Sequence, residues 1–126
     1  MILTKAACTS ALALLILVST GINAEESCTT LRGRARLYGG DGQLRIWHIG
    51  THHDFTPDDS SWRRVVYWLE DGARTLKLER NGAPDPASMI DMFADFRICP
   101  TEPFRKGAVQ QAKVLSASHR TFVLRH

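Results

Sequence analysis

Two runs of alternating polar and apolar residues flank Gly39-Gly40-Asp41-Gly42, and no other feature restricts the fold of this chain as strongly. Glycine adopts the positive φ that a tight hairpin turn requires, while alternation along a strand sends one face to a core and the other to water. The pattern predicts a β-hairpin over 29–49. Whichever turn residues close the loop, Tyr38 lies opposite Gln43, Arg36 opposite Arg45 and Arg34 opposite Trp47. One face then carries Leu31, Ala35, Leu37, Leu44, Ile46 and His48, and this is the core side. The other carries Arg32, Arg34, Arg36, Arg45 and Trp47.

Residues 1–24 read as a secretory signal. Lys5 supplies the positive start, Ala6 to Thr20 the apolar stretch, and Gly21-Ile22-Asn23-Ala24 a small-residue cleavage site. The stretch is short for a bilayer span, which favours cleavage over anchoring. The expectation is an exported protein, periplasmic or secreted, whose residues 25–126 form one β-rich domain of about 100 residues without a transmembrane segment. Of three cysteines, Cys8 falls in the signal, which leaves Cys28 and Cys99 as one disulfide. Such a bridge closes a loop of about 70 residues and is worth roughly 4 kcal/mol in the chain-entropy model. Glu25, Glu26 and Ser27 are not the small apolar residues that lipidation of Cys28 would need, and zinc sites usually bring cysteines in close pairs. A net charge of +3, part of it on Lys5, is too mild to imply a nucleic-acid partner.

Beyond the hairpin, 51–61 is polar and reads as a surface loop. The next segment fits two patterns. Trp62, Val65, Val66 and Leu69 sit at helical spacing, with Ser60 or Asp59 as N-cap, but Val65, Tyr67 and Leu69 also alternate, and Asp71-Gly72 leads into Leu76 and Leu78. A hairpin over 62–80 would set Arg64 against Glu79, and this is the favoured reading. A short helix is expected over 86–93, a strand over Asp95–Cys99, an irregular stretch over 101–107, and two strands within 109–124 around Ser116-Ala117-Ser118. Strands outnumber helices, so the fold class is mainly β (α+β): a small antiparallel OB-like barrel with one short helix and one disulfide, in which closure removes exposed edges. Fold analogy of this kind licenses no activity.

Gly33-Arg34, Tyr38, the run Arg45-Ile46-Trp47-His48-Ile49-Gly50-Thr51, Asp95-Phe96 and Cys99-Pro100 are similar to motifs of a group of small exported bacterial proteins of unassigned function. The resemblance implies export and a common fold, and it carries over no catalytic residue.

The basic hairpin face is the first candidate site. Arg34, Arg36, Tyr38, Arg45 and Trp47 would bind an envelope protein, a glycan or another anionic ligand, since arginines interleaved with aromatics hold carboxylates, sulfates, phosphates and sugar rings. The plainer alternative has these arginines solvating a sheet face and pairing with local acids such as Asp41 or Glu79. The second candidate is a metal site from His48, His52, His53 and Asp54, ligand types that suit zinc, copper or nickel. In a continued strand His48 and His52 would stand about 13 Å apart, so they converge only if Gly50 and Thr51 turn the chain sharply. No cofactor motif is present, and no nucleophile, base and orienter occur together, so no reaction is legible. A third reading, a structural subunit, would show an exposed apolar patch around Trp62 and Trp68.

Overall fold

The computed structural model describes residues 27–40, 42–78 and 85–125; residues 1–24, expected from the sequence to be a secretory signal, and Asp41 and Glu79 lie outside the described residues. Among the described residues five strands and one α-helix follow in the order β1 (Thr29–Leu37), β2 (Leu44–His48), β3 (Asp54–Pro57), α1 (Asp59–Thr75), β4 (Ile90–Pro100) and β5 (Gln110–Leu124). They close into a barrel in which neighbours run β1-β2-β3-β5-β4 and β4 returns to β1. Three leading strands, a helix and two trailing strands in this order are the OB-like arrangement. Every pairing is antiparallel except that of β3 with β5, which is parallel.

The first hairpin has the expected register, with Arg34 opposite Trp47 and Arg36 opposite Arg45, and the Tyr38 N–H donates to the Gln43 carbonyl at 2.7 Å. Leu31, Ala35, Leu44 and Ile46 are buried and join Phe55, Met92, Phe96, Ile98 and Val114 in one core. Cys28 and Cys99 form the disulfide and tie the start of β1 to the end of β4.

The segment from Asp59 to Thr75 is a 17-residue helix, not the expected hairpin. Its buried residues Ser61, Val65, Trp68, Leu69, Gly72 and Ala73 repeat at three and four, a single stripe against the barrel, whereas Tyr67 of the supposed alternation is 58% exposed. Asp58, rather than Ser60 or Asp59, is the N-cap, and its carboxylate accepts from the Ser61 N–H at 3.0 Å. Gly72, which reads as a turn residue, serves close packing: a Cβ there would stand 2.1 Å from the Phe122 ring on β5. Arg64 donates to the Val114 carbonyl of β5 at 2.6 Å.

Three further expectations change. The 51–61 loop contains β3, whose Phe55 and Pro57 are buried, and runs into the start of α1. The short helix over 86–93 is a single 3-10 turn, Pro86–Met89, because from Ile90 onward the chain alternates as β4 and pairs with both β1 and β5. The C-terminal segment is one 15-residue strand. Ser116-Ala117-Ser118 lies within its pairing with β4, and the register shifts opposite Phe93/Asp95 and Arg97/Ile98, so bulges bend the strand where a turn was expected. Trp68 is buried with the Arg120 guanidinium 4.8 Å from its ring, and Trp62 packs against the core, so neither forms the apolar patch of the structural-subunit reading.

Candidate binding face

Alternation turns Arg32, Arg34 and Arg36 of β1 outward, and the two neighbouring strands decide what each of them meets. The β4 register places Asp95, Phe93 and Asp91 beside them, and the β2 register adds Trp47 beside Arg34 and Arg45 beside Arg36. β3 contributes Asp54 opposite Trp47. One row across four strands therefore reads Phe93, Arg34, Trp47, Asp54.

Of the four outward arginines of β1 and β2, three have carboxylate partners. Arg36 donates to both oxygens of the buried Asp91 carboxylate, at 2.7 and 2.6 Å, and that pair of hydrogen bonds raises the guanidinium pKa above its usual value against the opposing pull of burial. Arg125 approaches the same carboxylate at 3.9 Å, and both guanidiniums lie over the Tyr38 ring, at 5.8 and 5.5 Å. Arg36 and Tyr38 thus belong to a packed cluster at one end of β1. Arg32 meets Asp95 at 3.4 Å and donates to the His119 carbonyl at 3.2 Å. Asp95 also contacts His119 Nδ1 at 2.9 Å, and this contact, aided by Arg32, holds its carboxyl below the usual range. Arg45 bonds the Gln43 side chain and lies 3.9 Å from Asp54. The local acids that quench the face are therefore Asp91, Asp95 and Asp54; of the acids expected from sequence, Asp41 and Glu79 are outside the described residues.

Arg34 differs from its neighbours. Among the described residues it has no carboxylate partner, its Cζ lies 5.0 Å from the centre of the Trp47 ring, and its Nε is buried without an acceptor. A tight turn after β2 holds Trp47 in place. Gly50 takes φ +87°, the indole N–H donates to the Thr51 carbonyl at 2.7 Å, and the Thr51 hydroxyl donates to the His48 carbonyl while accepting from the His53 N–H. Arg34, Trp47, Thr51, His52 and Asp54 line an open pocket of about 430 Å³.

The same turn distributes the histidines. Gly50 does bend the chain, and the His48 N–H donates to the His53 carbonyl at 2.9 Å, which sets these two on the core-side rows of β2 and the β3 approach. His53 lies tilted against Phe55 at 4.2 Å and meets the exposed Phe104 edge-on at 4.7 Å, so one contact of the irregular 101–107 stretch is with this ring. His52 and Asp54 lie at the pocket instead. Alternation divides His48, His52, His53 and Asp54 between two sides of the sheet, and among the described residues no three His, Cys, Asp or Glu side chains gather as ligands for one ion.

Sequence reasoning located Arg34 and Trp47 and missed Asp54 as an arginine partner, together with Asp91, Phe93 and Asp95. The outward alternation 91, 93, 95 is present in the chain, but a helix over 86–93 breaks it before the strand that begins at Asp95. No protein-family model, curated protein or solved structure matches the chain.

Proposed function

We propose that this protein is an exported binding module that holds an anionic ligand, a glycan or a protein partner on the outer face of β1–β3, with Arg34 and Trp47 at its centre. One observation carries the reading. Arg32, Arg36 and Arg45 each have a carboxylate within 4 Å, while Arg34 has none among the described residues and lines an open pocket. A guanidinium laid over an indole is held there by about 0.5–1 kcal/mol when exposed. Its outer N–H groups then suit a planar anion, which they can bind bidentately. The Cys28–Cys99 bond and the 1–24 segment support export, because structural disulfides persist in oxidising compartments. Among the described residues no helix is long and apolar enough to cross a membrane.

The test is thermal melting of the disulfide-closed chain against a panel of anionic glycans, peptides and small carboxylates, since any ligand specific to the native state raises the midpoint. At least one class should raise it, the gain should shrink with added salt, and Arg34→Ala with Arg45→Ala should abolish the gain while leaving the ligand-free domain folded. A gain that survives the double substitution, or no gain from any class, removes the reading.

A further inference from the structure

We infer that the pocket takes a carboxylated sugar ring, a residue of the hexuronic-acid type, and this rests on the reading of the face as a binding site. Four features of the row select the ligand. Arg34 lines the pocket as a cation with no carboxylate of its own among the described residues, which suits an anionic acceptor on the ligand. Trp47 stands next in the row and lines the pocket beside the guanidinium over its ring, an aromatic wall whose remaining surface suits the C–H faces of a pyranose. Asp54 lies beyond it, two strands or about 10 Å from Arg34, and with the pocket-lining His52 supplies acceptors for ring hydroxyls. A volume of about 430 Å³ falls toward the lower end of ligand-sized pockets and accommodates a short ligand segment.

The alternatives fit less well. An amino-acid zwitterion would ask Asp54 for a full negative charge, yet Asp54 already faces Arg45 at 3.9 Å, which leaves it as a hydroxyl acceptor more than as an ammonium counter-ion. A phosphate dianion asks for more positive charge than one guanidinium brings, and Arg32 and Arg36 are committed to Asp95 and Asp91. A nucleic acid would need a run of uncompensated cations, and the carboxylates of β4 interrupt that run.

The experiment is a chemical-shift titration of the disulfide-closed chain with methyl galacturonoside, methyl galactoside, acetate and inorganic phosphate. The uronoside should move the Trp47 indole N–H and the 51–54 amides saturably, and bind about tenfold or more tightly than either the neutral glycoside or acetate. Arg34→Gln should reduce the uronoside to the level of the neutral glycoside, and Arg34→Lys should retain part of the difference; unchanged amide spectra away from the pocket show that both variants fold. Acetate or phosphate binding as tightly as the uronoside overturns the sugar and leaves an anion site. A neutral glycoside that binds equally well overturns recognition of the carboxylate. If none of the four moves these resonances, the uronate inference is overturned, and the wider reading falls with it only if the Arg34-dependent melting gain is also missing.

Discussion

Gly72 offers a test of the packing that holds α1 on the barrel. A Cβ added at this position would stand 2.1 Å from Cδ1, 2.4 Å from Cε1 and 2.6 Å from Cγ of Phe122, distances at which the ring or the helix must move. On a solvent-facing helical surface the exchange of glycine for alanine would stabilise by about 1 kcal/mol. Here it meets a ring that is itself packed against the core, and overpacking of this kind costs typically about 1–3 kcal/mol. The net expectation for Gly72→Ala is a loss of about 1 kcal/mol, or roughly 4–8 °C in Tm for a domain of this size. In a Phe122→Ala background the same substitution should instead stabilise by about 1 kcal/mol, since only the propensity gain remains. Urea unfolding of the four chains of this double-mutant cycle isolates the contact. A Gly72→Ala chain that melts higher than the parent, or an effect of equal size with and without the Phe122 ring, refutes the packing argument.

Replacing Cys28 and Cys99 together by serine should cost about 4 kcal/mol, because the bond spans 71 residues; urea unfolding checks this, and a loss below about 1 kcal/mol contradicts it. Asp58→Ala should cost about 1 kcal/mol through loss of the cap on α1. Burial pulls the Asp58 pKa upward, but the Ser60 hydroxyl and Ser61 N–H outweigh it and hold the carboxyl below its usual value. A carboxyl depressed in the folded state adds stability above the unfolded-state pKa and loses it as pH falls through the folded value, so the stability gap between the parent and the Asp58→Ala variant, measured across pH, should narrow in acid. His119→Ala should let the Asp95 carboxyl titrate closer to the ordinary range, seen in the pH dependence of its side-chain carbon shift; an unmoved titration would show that His119 does not act on it.

How far the sequence revealed this structure differs from element to element. Alternation about a glycine turn specified the β1–β2 register residue by residue, because a slip of one position would send Leu44 and Ile46 into water. The disulfide was legible because Cys28 and Cys99 are the two cysteines outside the apolar N-terminal stretch. The helix was not resolved, because Val65, Tyr67 and Leu69 satisfy a period of two while Val65, Trp68, Leu69 and Gly72 satisfy 3.6, and a glycine required by a distant Phe122 imitates a turn. Bulges hid the continuity of β5, since local Ser-Ala-Ser chemistry carries no record of which partner strand compensates it. In the candidate site, Arg34 and Trp47 were legible from strand parity alone. The charge state of the face was not, because the acids that neutralise Arg36 and Arg32 are 55 and 63 residues away in the chain.

The most direct measurement follows the arginine Nε–H resonances of Arg32, Arg34, Arg36 and Arg45 in the disulfide-closed chain while a carboxylated ligand is added. If Arg34 is the cation that receives the ligand, its signal shifts saturably together with the Trp47 indole N–H, while those of Arg32 and Arg36, held by Asp95 and Asp91, stay in place. An Arg34 signal that does not move, or an Arg36 signal that moves as far, would contradict that role.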